Sequence, residues 1–340
     1  MFSNTNLYDC SNLNFGIEYI QYSLGNFKSM FKNCISMIHC PKILLPTALK
    51  SSCYESMFEG CLSLIKAPEL PATTLADSCY ESMFRGCSSL IKAPELPATT
   101  LADSCYESMF SGCTSLTTVP NLPATTLAYS CYKSMFEGCS LLTTIPSNLL
   151  PAKTLGKFCY ESMFRGCTSL TTVPNLPATK LRAYCYQYMF YGCSSLTTVP
   201  SNLLPATTLA NNCYDSMFSG CSSLTTVPNL PATTLAEYCY QYMFYGCTGL
   251  VETPSGWYLP NVTTLPSKCY LSMFNGCSKL QKMAVAYSGG KASNSWGSPW
   301  YDLMYGVKST GTFYYSKNQT KENIQSIVPS GWTLVQSTEW

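Results

Sequence analysis

The apolar positions of this chain recur as a phrase. In Cys79-Tyr-Glu-Ser-Met-Phe-Arg-Gly-Cys87 they fall at i, i+1, i+4, i+5 and i+8, with Glu81, Ser82 and Arg85 on the other side. That spacing predicts one apolar stripe along a helix of about two turns. Ser78 with Glu81 reads as a capping box at its start, and Gly86 as the left-handed residue that ends it. The box returns as Ser52 with Glu55 and Ser104 with Glu107, and is broken where Lys133 follows Ser130. Such a helix is below the ~12–15 residues that an isolated helix needs in water, so its neighbours must hold it.

After each stripe the pattern changes. Leu90-Ile-Lys-Ala-Pro-Glu-Leu-Pro97, or Leu116-Thr-Thr-Val-Pro-Asn-Leu-Pro123 further on, has the β-branched and apolar residues of a strand bounded by prolines. Proline cannot donate to a ladder, which limits the strand to about three to five residues. Ala98 to Leu101 then turns the chain back toward the next stripe. Met-Phe pairs mark the register from Met30 to Met273, mostly 26 residues apart, with insertions at Ser147–Pro151, Ser201–Pro205 and Ser255–Pro260. A fixed period of this size means stacked repeats, because one unit cannot bury its own apolar face alone.

L-T-T-V-P-N-L-P followed by M-F-x-G-C-[ST]-S-L resembles the BspA-like leucine-rich repeats, in the branch with an M-F-x-x-C-x-x-L signature. The resemblance runs from about Asn26 to Lys282, and Gly306–Phe313 with Ile327–Thr333 is similar to that family's C-terminal end. It implies an α/β solenoid: a right-handed leucine-rich-repeat array with short strands on the concave side, short helices on the convex side and terminal caps. It also implies a non-enzymatic, surface or secreted protein of host-associated bacteria or mucosal protozoa that mediates adhesion or binds proteins. The expected partner is a protein or glycan ligand, a host surface or matrix among them. The competing expectation is a structural part of a virion, tail or appendage, with the repeats as spacer.

Residues 1–25 do not fit the repeat and read as an N-terminal cap; 26–282 hold ten repeats, the first degenerate; 283–340 read as a C-terminal cap or small α+β region. In that last part, Ala284–Tyr287 and Thr312–Tyr315 read as strands and Pro299–Tyr305 as a short helix, with Trp296, Trp300 and Trp332 to cover the open end.

Charged residues are 11% and the formal net charge is +2, with no basic run, so no nucleic-acid stripe is predicted. No stretch has the length and apolarity of a spanning helix, and the first twenty residues lack the basic and apolar regions of a signal peptide. A surface location therefore needs a removed leader or another route, and a phage particle would need neither. The 21 cysteines are the strongest compositional feature. Cys79 and Cys87 would lie about 12 Å apart on a helix, too far for a disulfide, and C-x7-C is not a zinc spacing. Buried, mostly free thiols in stacked columns are expected.

Chemistry has few places to sit, and neither catalytic residue, cofactor nor metal is predicted. The five LPATT segments lack the glycine and membrane tail of a sorting signal. His39, the single histidine, lies beside Cys40 and near Cys34 with no third partner at a recognisable spacing, and reads as a turn residue. Asn261-Val-Thr263 and Asn318-Gln-Thr320 fit the glycosylation pattern but are short enough to arise by chance. Binding is expected where the units differ. Two units carry tyrosines where others carry serine: Tyr184, Tyr188 and Tyr191, then Tyr238, Tyr242 and Tyr245. On a helix the i, i+4 pairs share one side, and tyrosine suits recognition surfaces. The second candidate is the strand side, which changes from Lys66 and Lys92 to a threonine row of Thr117, Thr143, Thr171, Thr197 and Thr225, ending in Glu252.

Overall fold

The computed structural model describes residues 2–11, 27–40, 49–253, 259, 265–287 and 289–338 of the 340. It divides into two compact units, Met1–Asn175 and Leu176–Trp340. The degenerate stretch 41–48, most of the 1–25 cap and the Asn261 glycosylation pattern lie outside the described residues.

Unit 1 is a stack of parallel coils, and the stripe that reads as a helix is not one. Within the coil that starts at Ala76, the N–H groups of Cys79, Glu81, Met83, Arg85 and Cys87 donate three residues back, to Ala76, Ser78, Tyr80, Ser82 and Phe84. The N–H groups between them, on Ser78, Tyr80, Ser82, Phe84 and Gly86, donate instead to Asp103, Cys105, Glu107, Met109 and Ser111 of the next coil, at 2.7–3.0 Å. The segment is a ribbon of successive turns in which every second amide bonds outward. Each turn contains a left-handed residue, four apart: Ser78 (φ 52°), Ser82 (φ 54°) and Gly86 (φ 72°). Ser78 is therefore not the extended N-cap that a capping box needs. The expected convex helices are replaced by turn ribbons, and among the described residues the one α-helical turn is α1 (Lys321–Ile324) in unit 2.

The ribbon keeps the same residues inside as the helix would have. Cys79, Tyr80, Met83, Phe84, Cys87 and Leu90 are at most 1% exposed, and Ala93, Leu96 and Ala98 close the coil's interior. Equivalent rings stack through the unit: Phe2, Phe31, Phe58, Phe84, Phe110, Phe136 and Phe164 at 5.5–5.6 Å between centroids, and Tyr54 through Tyr160 at 5.8–5.9 Å. The second cysteine of each coil has a structural task. The Cys87 thiol donates to the Phe58 carbonyl of the preceding coil at 3.1 Å, and Cys61, Cys113, Cys139 and Cys167 repeat the bond at 3.0–3.2 Å. That carbonyl also accepts the Cys61 N–H, so both of its lone pairs are used.

On the strand side the expected strands shrink to single bridges, His39 to Lys66 to Lys92 to Thr118, with a second series at Thr74–Thr100 and Thr126–Thr154. Closely spaced prolines such as Pro94 and Pro97 remove the donors that longer ladders need.

Unit 2 repeats this plan, with Tyr186, Tyr214, Tyr240 and Tyr270 in one column and Phe190, Phe218, Phe244 and Phe274 in the other. Where prolines cease, true strands form: β1 (Lys282–Val285), β2 (Gly311–Tyr315) and β3 (Trp332–Gln336) make a parallel sheet in that order. The Pro299–Tyr305 segment is a turn ribbon rather than the helix its sequence predicts. Trp300 stacks on Tyr270 at 5.0 Å, Asp302 (φ 52°) and Gly306 (φ 72°) take the left-handed places, and Tyr270, Ser272, Phe274 and Gly276 donate to Pro299, Tyr301, Leu303 and Tyr305. Repeat geometry thus continues past residue 282. It also reaches back before residue 26: Phe2 stacks on Phe31, Phe2 and Asn4 donate to Met30 and Lys32, and Asp9 bridges His39.

Candidate functional site

Stacking puts each coil's outward residues in rows, so a departure in one coil is flanked by its neighbours. In unit 2 three consecutive coils read Tyr184, Gln187, Tyr188, Tyr191; then Asn212, Asp215, Ser216, Ser219; then Tyr238, Gln241, Tyr242, Tyr245. Two tyrosine ridges therefore stand one coil either side of a small, polar coil, roughly 10 Å apart at about 4.8 Å per bonded step. Tyr184 (φ 63°), Tyr188 (φ 55°), Tyr238 (φ 58°) and Tyr242 (φ 51°) occupy the left-handed positions. A four-residue turn period makes Tyr184 and Tyr188 equivalent, so they share a side, although not for the helical reason. Tyr188 meets Tyr191 edge to face at 5.9 Å, and Tyr242 meets Tyr245 likewise at 5.8 Å.

Between the ridges lies Asp215, only 2% exposed, with Ser216 and Ser219 nearly as covered. Its Oδ2 accepts from Gln187 Nε2 (2.8 Å) and Asn212 Nδ2 (3.3 Å), and its Oδ1 accepts from Ser216 Oγ (2.8 Å). Burial pushes this carboxyl above the usual range, against the pull of those three donors. Tyr242 is raised as well, first by burial and then by the charge of Asp215. Tyr191 and Tyr245 present the open faces, at 37% and 43% exposure. The next gap along the row already holds a cation: Lys268 Nζ sits 5.6 Å above the Tyr238 ring and 4.8 Å above Trp296. Asp215 and Lys268 escape sequence reading as site residues because their meaning depends on the coils beside them. The signal present is the lone aspartate in a row that from Glu55 to Gln241 otherwise holds Glu, Gln and Lys.

The threonine row splits between the units, Thr117, Thr143 and Thr171 in the first and Thr197 and Thr225 in the second, all exposed. Thr171 Oγ1 donates to the Thr143 carbonyl and Thr225 Oγ1 to the Thr197 carbonyl, both at 2.9 Å, so these hydroxyls already tie coils together. In unit 1 a shallow groove of about 450 Å³ runs beside Lys66 and Lys92, with Ile65 and Ile91 in its wall. His39 is exposed and bridges Asp9 and Lys66 through its backbone. Burial pushes the Cys40 thiol beside it up to about 11, which leaves little thiolate for nucleophilic work. The column cysteines are buried further, Cys113, Cys131 and Cys221 pushed to about 12 by burial. Among the described residues no group of His, Cys, Asp and Glu could hold a metal ion, and no helix is long and apolar enough to cross a membrane.

A family model for the BspA type leucine rich repeat region matches six copies, over residues 1–143, 92–214 and 132–281. The chain belongs to the BspA-type leucine-rich-repeat family. The first match begins at residue 1, in keeping with the coil geometry of residues 2–10. No curated protein matches the chain. Repeats of this BspA type are consistent with a protein used in protein–protein binding.

Proposed function

We propose that the chain is a non-enzymatic binding scaffold, an adhesion or protein-binding repeat protein that acts at a cell surface, with right-handed coils and the tyrosine ridges of unit 2 as its recognition surface. One observation carries this reading. Serine fills the left-handed positions in most coils, yet two coils place tyrosine at both. A left-handed backbone costs a residue with a Cβ about 1–2 kcal/mol, and bulky side chains suit it least. Residues kept where the fold disfavours them point to a role outside the fold. Exposed tyrosines supply large contact area at small entropic cost.

The test is a panel of immobilised matrix proteins and mucin-type glycoproteins probed with the intact chain and with a Tyr188→Ser/Tyr191→Ser/Tyr242→Ser/Tyr245→Ser variant. Serine is native at the equivalent places of other coils, so folding should survive. The expected result is at least a tenfold loss of affinity for whichever ligand the intact chain binds. Unchanged affinity would move recognition to the Ile65 and Ile91 groove of the strand side.

A further inference from the structure

We infer that the two tyrosine ridges and Asp215 form a cage for one organic cation, the guanidinium of an arginine on a protein partner. The inference deepens the preceding reading and rests on it, since it names what the tyrosine surface binds.

Charge is the first ground. Asp215 is a carboxylate covered by its surroundings and held by Gln187, Asn212 and Ser216, all neutral donors. Among the described residues no ion pair involves it. Buried charges are ordinarily paired with an opposite charge or a metal. Its Oδ1 takes one hydrogen bond and keeps room for another.

The covering is the second ground. In its own row Asp215 lies between Gln187 and Gln241, and tyrosines flank the residues that bond it, Tyr184 and Tyr238 either side of Asn212 and Tyr188 and Tyr242 either side of Ser216. Aromatic faces attract cations, more strongly when both are desolvated. Arginine is favoured over lysine because its flat fork can lie against a ring while bonding a carboxylate, and because it sheds water more readily. The third ground is internal. In the adjoining gap of the same row the chain supplies its own cation, Lys268, between Tyr238 and Trp296. The Asp215 gap shares the Tyr238 wall, has Tyr184 in place of Trp296 as the other and carries a carboxylate in addition, but Asn212 stands where that lysine would be. What Lys268 does for one gap, a partner's arginine does for the other.

The experiment titrates the full chain with the blocked peptide acetyl-Gly-Gly-Arg-Gly-Gly-amide and with its citrulline counterpart, of equal shape and no charge, followed by saturation-transfer NMR. The expected result is at least tenfold tighter binding of the arginine peptide, falling to the citrulline level in Asp215→Asn and in Tyr191→Ser/Tyr245→Ser. Asp215→Asn keeps the side chain's shape, and its thermal midpoint should not fall below that of the unaltered chain, which separates lost binding from lost folding. Equal binding of both peptides, with loss in the tyrosine variant, would overturn the cation cage while leaving the tyrosine surface standing. Binding of neither peptide would overturn the cage, and the matrix-protein panel would then decide the broader reading separately. Arginine binding that survives Asp215→Asn undiminished would also overturn it.

Discussion

The turn face of unit 1 and that of unit 2 are built on the same ribbon and dressed differently. In unit 1 the row equivalent to Asp215 reads Glu55, Glu81, Glu107, Lys133 and Glu161, so stacking sets like charges beside one another. Lys133, 4.0 Å from Glu107 and 3.3 Å from Glu161, and Lys28, 2.8 Å from Glu55, relieve the ends of that row. In unit 2 the row passes from Gln187 through Asp215 to Gln241, and amides and tyrosines replace the charges. The interior columns hardly change between the two. A repeat fold therefore fixes what points inward and leaves the outward rows free, and a difference between rows carries information that identical cores cannot.

The comparison breaks first if the cores are not equivalent. Phe110, between Phe84 and Phe136, and Phe218, between Phe190 and Phe244, sit in matching columns. Phe110→Ala and Phe218→Ala should each destabilise by about 3–5 kcal/mol, read from denaturant midpoints, and a clear inequality would mean that the two columns are packed differently. A smaller effect tests the ribbon itself. Gly112 has φ 74°, and a Cβ there would lie 3.5 Å from Gly86 Cα, a normal contact. Gly112→Ala should thus cost only the left-handed penalty of about 1–2 kcal/mol, and Gly86→Ala in the preceding coil, whose Cβ would lie 3.8 Å from Gly60 Cα, the same. Denaturant midpoints that show a much larger loss, or none, at either glycine would contradict the ribbon.

The smallest effect sharpens the contrast in charge. Burial, together with the charges of Glu107 and Glu55, raises the Glu81 carboxyl above the usual range. A raised carboxylate binds its proton more tightly folded than unfolded, so its ionisation destabilises the fold above that folded value and the loss is recovered as the pH falls through it. Glu81→Gln should stabilise unit 1 at neutral pH by a few tenths of a kcal/mol, the scale of partly exposed charge pairs. The gain should shrink in salt and vanish in acid. A gain that stays constant with pH would show that the row is not under charge strain.

Much of this was legible in the residues. The Met-Phe period gave the stacking and the register, and the inward set of Cys79, Tyr80, Met83, Phe84 and Cys87 holds in the structure. The local conformation did not follow, because over eight residues a period of four and a period of 3.6 bury nearly the same positions. The distinguishing signal was Ser78, Ser82 and Gly86, small residues at strict four-residue spacing, which a helix does not require. Met1-Phe2 and Trp300 escaped for a different reason: the first lacks the flanking cysteines, and the second puts tryptophan in a tyrosine column. Asp215 was visible only as a change of letter, since what surrounds it comes from residues 28 positions before and 26 after.

The alternation of amides along the ribbon has a mechanical consequence. Because every second N–H, at Ser78, Tyr80, Ser82, Phe84 and Gly86, is tied to the following coil, neighbouring coils are laced by a row of parallel bonds instead of resting against each other as separate helices. A pull directed along the stack would load such a row one stitch at a time, whereas a pull across it would load all five together. Within each unit, coils should therefore peel singly under axial tension, each releasing on the order of 90 Å of extended chain. The result would be a sawtooth of many small, evenly spaced events, the behaviour of a tether that yields in steps.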